Sequence, residues 1–285
     1  MKLFSRLKFI PILAMALPLI LTSVITLPET VIASRLPVGQ IAYEIFPNSN
    51  PYPQLLAQAP ATDTIQAALE NPNRPDADKS RDDRDHTAQV LDFLGVEPGM
   101  AVADLMAGGG YYTELFSRIV GNEGQVYMQN EYIGWPWEKF FPSMISARLE
   151  HYRLANVTRL DAPLETMGLP EGELDLVFLS LFYHDSVWMG IDRQKVLQEI
   201  YTALKPDGIF AIIDNCSEPR VGIRDVSSKH RIDREFVIED LLAAGFTVDA
   251  TSDILSNPED DHTLSAFDPA IRSHTDRFII SFSKS

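Results

Sequence analysis

Val102-Ala103-Asp104-Leu105-Met106-Ala107-Gly108-Gly109-Gly110 decides the reading of this chain, because a short apolar run with a carboxylate near its end passes directly into three glycines. The apolar run predicts a buried strand. The glycines predict a tight turn whose backbone N–H groups approach a ligand at the positive end of the helix that follows. A dinucleotide fingerprint, G-x-G-x-x-G, fails here because its third glycine falls on Thr113. On the glycines alone a plain strand-to-helix turn and a ligand cradle stay open.

Downstream, short apolar runs alternate with amphipathic segments, the pattern of a parallel sheet covered by helices on both faces. Strands are expected at 101–105, 125–129, 157–160, 174–179, 209–214, 246–254 and 277–283. Helices are expected at 86–95, 112–120, 136–150, 192–204 and 233–244, with Lys205-Pro206-Asp207-Gly208 as the stop after 204. No helical pattern separates the last two strands, so they are expected to pair antiparallel at the sheet edge. The fold class is therefore α/β: a doubly wound, mostly parallel seven-stranded sheet with an antiparallel C-terminal strand.

Upstream the texture differs. Lys2, Arg6 and Lys8 precede the uncharged stretch Phe9–Leu27, and Val31-Ile32-Ala33 suits a cleavage site, so residues 1–33 read as an export signal or an N-terminal anchor. Residues 34–63, with Pro37, Pro47, Pro51, Pro53 and Pro60, read as a flexible linker, leaving 64–285 as the domain. Asn71–Asp85 reads as a solvated lead-in without chemistry of its own.

The 285 residues carry 24 Lys and Arg against 40 Asp and Glu, a net charge of −16. Without residues 1–33 the balance is 21 against 39, or −18. Such a surface repels phosphate backbones, and a nucleic-acid partner is not expected. A hydrophobic share of 45% supports a packed core. Cys216 is the single cysteine, so neither an intramolecular disulfide nor a four-thiolate zinc site is available, and a buried, inert thiol is expected.

Asp104 placed four residues before Gly108 gives D-x-x-x-G-x-G. Together with Leu160-Asp161-Ala162, Leu169-Pro170-Glu171-Gly172-Glu173-Leu174-Asp175 and Leu204-Lys205-Pro206-Asp207-Gly208, it resembles class I S-adenosylmethionine (SAM)-dependent methyltransferases over roughly Gly95–Ser285. A narrower resemblance, to exported predicted methyltransferases of bacteria, rests on Ala107-Gly108-Gly109-Gly110-Tyr111-Tyr112-Thr113, His230-Arg231-Ile232-Asp233 and Asn257-Pro258-Glu259-Asp260-Asp261-His262-Thr263. The resemblance implies SAM as cofactor, held by Asp104, Met106, Ala107, Gly108, Gly109 and Gly110, with Asp161 and Ala162 at the adenine. The family's ribose-binding carboxylate is replaced: its place holds Asn130, with Glu131 one residue on.

Methyl transfer from a sulfonium needs alignment and exclusion of water, and a base only for hydroxyl-type acceptors. The carboxyl edge of the sheet offers Tyr183-His184-Asp185, then His230, then Asp261 and His262. His184 is the expected general base, Tyr183 and Asp185 its orienting partners, and His262 the second candidate. Local hydrogen bonding is the competing reading for these loop histidines. A metal site of His184, His230 and His262 lacks short ligand spacing such as H-x-x-x-H, and no metal is expected. Trp135, Trp137, Phe140 and Phe141 suit either an acceptor pocket or the core. The expected partner is a small-molecule or envelope-associated acceptor, with membrane contact only through residues 1–33 if they stay attached. The competing functions are a catalytically inactive exported binding module and an NAD-dependent oxidoreductase.

Overall fold

In a computed structural model of the chain, residue 52 and residues 63–131 and 141–284 are described; the calls on residues 1–33, on most of the linker, and on Trp135, Trp137 and Phe140 lie outside them. The described strands are β1 (Ala101–Leu105), β2 (Gln125–Asn130), β3 (Val157–Asp161), β4 (Leu174–Ser180), β5 (Leu204–Asn215), β6 (Phe246–Ser252) and β7 (Arg277–Lys284). They form one seven-stranded sheet of order β3-β2-β1-β4-β5-β7-β6. β1 to β5 pair in parallel, and β7 runs antiparallel to both β5 and β6. The expected antiparallel pairing is present, but β6 is the edge strand and β7 lies one place inside it.

Both faces of the sheet are covered. Ala103, Leu105, Val177, Leu179, Phe210 and Ile212 pack on one side. Val102, Leu176, Phe178, Ala211 and Ile213 pack on the other. Adjacent residues of a strand thus enter opposite cores, which is why these strands read as unbroken apolar runs.

The helices are α1 (Asp63–Leu69), α2 (Asp76–Lys79), α3 (Thr87–Phe93), α4 (Tyr111–Val120), α5 (Phe141–Leu149), α6 (Tyr183–Trp188), α7 (Arg193–Ala203) and α8 (Arg234–Ala243). Of the helix expected at 136–150, Phe141–Leu149 is present and residues 136–140 lie outside the described residues. Three expectations change. Asp63, placed in the linker by composition, opens α1. β5 begins at Leu204, because the Lys205–Gly208 turn is a bulge flanked by the pairs Leu174↔Leu204 and Leu176↔Ile209. The supposedly solvated Asn71–Asp85 is a clamp: buried Arg74 donates to both carboxylate oxygens of Asp82, at 2.7 and 2.8 Å, and the Tyr111 hydroxyl donates to the same Asp82 at 2.6 Å. An Arg with paired, in-plane donors satisfies a carboxylate that burial would otherwise penalise.

Candidate active site

β1 delivers the glycine turn to α4. Met106, Gly108 and Gly110 all have left-handed backbones, with φ of 47°, 56° and 82°. Gly110 is also the residue preceding the first turn of α4. A Cβ at Gly110 would lie 2.8 Å from Met128 Cε and 2.9 Å from Arg148 Cδ, so both its conformation and its surroundings require glycine. Gly109 differs: its Cβ would meet only the tip of exposed Met144.

Side chains at the end of β2 hold the turn. Gln129 Oε1 accepts from the Met106 N–H at 3.0 Å, while its Nε2 donates to the Ala162 carbonyl at 2.7 Å. Asn130 Oδ1 accepts from the Gly108 N–H at 2.8 Å. The residue at the family's ribose position is therefore fastened to the glycine turn itself. Sequence reasoning missed Gln129; its signal was a pair of amides, able to donate and accept, closing β2.

Asp104 is buried beneath the turn and accepts from Thr113 Oγ1 at 2.5 Å. Burial pushes its carboxyl up to about 7, against the opposing effect of the Thr113 hydrogen bonds. Its part is to brace the turn from below. Asp161 ends β3 beside Asn130, but its half-exposed side chain pairs with Arg159 at 2.8 Å.

A cavity of about 180 Å³ opens beside the turn at the carboxyl edge of the sheet. From the residues expected to bind the cofactor it takes Met106, Gly108, Asn130 and Glu131, and from the expected catalytic set Asp185. Phe141 of α5, offered by the sequence for an acceptor pocket or the core, and Phe267 of the β6–β7 loop, which the sequence did not single out, also line it. Glu131 Oε2 accepts from the Leu164 N–H at 3.3 Å, so the carboxylate one place beyond Asn130 belongs to the cavity wall. A Cβ on Gly108 would make an ordinary van der Waals contact, 3.5 Å, with the Phe141 ring, so Phe141 packs over the turn; the part of the cavity wall whose chemistry suits an adenosyl donor is Glu131, a hydroxyl acceptor, beside the apolar rings.

The histidines divide. His184, almost fully buried, has Nδ1 2.7 Å from Asp214 Oδ1, and its backbone N–H donates to Asp214 Oδ2 at 2.9 Å. Its Nε2 lies 3.1 Å from Asp185 Oδ1, an ion-pair distance, but off the line that a hydrogen bond requires. Burial disfavours its charge, yet Asp214 and Asp185 outweigh it and raise the imidazole to about 10. Both ring nitrogens of His184 thus face carboxylates, and among the expected catalytic residues it is Asp185, not His184, that lines the cavity from which a base would have to reach an acceptor.

Asp185 stays ionised below the usual carboxylate range: burial opposes this, and His184 with Trp188 prevails. Tyr183 points away, its buried hydroxyl donating to Asp240 of α8 at 2.8 Å. His262 belongs to a separate network, with Nε2 2.9 Å from Asp276 Oδ2 in a loop organised by the buried Arg231–Asp260 pair. Neither of these two expected catalytic residues reaches the cavity wall. His230 does approach the site, with Nδ1 3.3 Å from Asp185 Oδ1. Desolvation and Asp276 hold the Cys216 thiol above its ordinary range, which accords with the inert thiol expected.

Comparison with known proteins agrees with this layout. A family model described as a methyltransferase domain matches residues 104–212. The ubiquinone/menaquinone biosynthesis C-methyltransferase UbiE of Enterobacter sp. (strain 638) is 28% identical over 129 residues, 44% of this chain and 46% of that protein. The chain thus spans less than half the length of the curated relatives it matches. A SAM-dependent methyltransferase from Aquifex aeolicus superposes with a TM-score of 0.54 at 20% identity, covering 77% of this chain and 98% of that one. The geranyl diphosphate C-methyltransferase of Streptomyces coelicolor A3(2) gives 0.52 at 14% identity, covering 88% and 99%. Those two likenesses concern the fold. Residues 104–212 are thus similar to a methyltransferase domain, and the seven-stranded α/β sheet that holds them has the fold of solved SAM-dependent methyltransferases.

Proposed function

We propose that this protein is a SAM-dependent methyltransferase acting on a small-molecule or envelope-associated acceptor. The observation that carries the reading is the cavity joining the glycine turn, Asn130 and Glu131 to Asp185 and Phe267 at the carboxyl edge of the sheet, where ligands of open α/β sheets bind. SAM supplies a methyl group already activated on sulfur. The Glu131 carboxylate on the cavity wall, an acceptor for ribose hydroxyls, is the group that holds it, because the N–H groups of Met106, Ala107 and Gly108 are already taken by Gln129 and Asn130. Phe141, Phe182 and Phe267 exclude water from the same space.

At the far end, Asp185 accepts hydrogen bonds from an acceptor and orients it, while its depressed pKa makes it a weak base. With His184 buried between Asp214 and Asp185 and Asp185 a weak base, the side chains favour a nucleophile that attacks unaided, such as a thiolate or a neutral amine. One observation favours the binding-module reading: Asn130, at the ribose position, is tied to Gly108.

Calorimetric titration of the chain with SAM, S-adenosylhomocysteine and NAD separates these readings. The expected outcome is heat with both adenosyl ligands and none with NAD, with Glu131→Ala weakening SAM about tenfold, roughly 1.4 kcal/mol. No heat with SAM or its product sinks the methyltransferase reading. Adenosyl binding without methyl transfer to any extract fraction favours the module.

The proposal extends to location. Residues 1–33, basic and then apolar, would direct the domain across a membrane. Mass spectrometry of the protein recovered from outside the cytoplasm is expected to find a new N-terminus at Ser34. An intact Met1 on that material rules out cleavage, and recovery only from the cytosol rules out export.

A further inference from the structure

We infer that His184, Asp185 and His230 form a site for one divalent transition-metal ion of the zinc class at the acceptor end of the cavity. Among the described residues these three side chains bring one ligand atom each within 4.8 Å of one another. The measured approaches are tighter: 3.1 Å from His184 Nε2 to Asp185 Oδ1, and 3.3 Å from His230 Nδ1 to the same oxygen. Ligands bound at about 2.0–2.2 Å around a tetrahedral zinc are themselves about 3.3–3.6 Å apart, so little movement separates this arrangement from a coordination shell.

Two further features point to a cation. His184 Nε2 is buried without an aligned hydrogen-bond partner, although its ring is fixed by Asp214 on the other nitrogen. That is the carboxylate–histidine arrangement of metal sites, in which the incoming ion displaces the Nε2 proton to solvent and takes that nitrogen's lone pair. Meanwhile Asp185 Oδ1 faces three nitrogens at once, those of His184, His230 and the Trp188 indole, the last at 2.7 Å. An oxygen with two lone pairs cannot accept from all three. An ion bound by both imidazoles and the carboxylate resolves the crowding, with Trp188 kept as the hydrogen-bond donor that orients Asp185.

The imidazole pair selects the ion class. Two nitrogens and one carboxylate suit zinc, cobalt or nickel, whereas magnesium and calcium take oxygen ligands. Three protein ligands leave a position free, and Asp185 lies on the cavity wall. There a hydroxyl or thiol of the methyl acceptor could bind and lose its proton to water, since coordination stabilises the anion. This last assignment rests on the methyltransferase reading. The metal site itself does not.

The test is titration of the chelator-stripped full chain with Zn²⁺, repeated with Co²⁺ for its visible ligand-field bands and with Mg²⁺ as contrast. The expected result is one Zn²⁺ per chain, a four- or five-coordinate Co²⁺ spectrum, and no response to Mg²⁺. His230→Ala and Asp185→Asn should each weaken Zn²⁺ about tenfold or more, with His262→Ala unchanged. His230 is partly exposed, so its variant is expected to keep the native circular dichroism. No uptake by the native chain, or uptake that neither His230→Ala nor Asp185→Asn weakens, overturns the site. SAM binding without metal uptake sinks the metal alone, and metal uptake without SAM binding sinks the donor reading alone.

Discussion

Asp104 and His184 both keep a proton at a pH where the free side chains would have given it up, and the causes are opposite. Burial denies Asp104 its anion, whereas two carboxylates hold the His184 cation in spite of burial. For Asp104 the folded-state pKa of about 7 lies above the ordinary 3.8, so its contribution to stability is complete below 3.8 and is lost as pH rises through 7. Asp104→Asn cannot ionise and still offers Thr113 an acceptor. Its stability relative to the native chain is expected to rise across that window, by up to about 1.4 kcal/mol per pH unit. Urea midpoints measured at pH 4, 6 and 8 check this; a constant difference would mean that Asp104 titrates normally. The sequence marked Asp104 and His184 as site residues but not their protonation. That depends on the burial of Asp104 and on Asp214 at the end of a different strand, both of which exist only after the sheet has assembled.

Among the elements, the glycine turn was legible because its strand is an apolar run and its residues are the ones that tolerate left-handed backbones. Three adjacent glycines nevertheless hide different demands. Gly110→Ala meets both a φ of 82° and the Met128 and Arg148 side chains, and should cost about 1–3 kcal/mol from the backbone alone, with more from the clash. Gly109→Ala displaces only the flexible end of Met144 and should change stability by less than about 1 kcal/mol. Thermal denaturation of the two variants distinguishes them, and equal losses would refute the assignment. α6 was not legible. Its six residues, Tyr183–Trp188, are too few for periodicity to register, and their fixed places come from Asp214 and Asp240, which anchor His184 and Tyr183. The amides that clasp the turn were hidden for a related reason: Gln129 and Asn130 close a strand like any polar pair until β1 is laid beside β2.

For the molecule as a whole, the strand count and the parallel core could be read from composition and texture, since strands buried on both faces betray themselves as apolar runs. The position of β7 could not be read so directly, because the same hairpin can attach by either strand. Attachment through β7 gives it two neighbours, and its sequence Phe278-Ile279-Ile280 fills both cores, whereas β6 interleaves Thr247 and Asp249 as befits an edge. This slot has a kinetic corollary. Until residues 277–284 emerge from the ribosome, β5 has a bare flank and β6 has no place to dock, so closure of this edge waits for the strand that is made after both of its neighbours.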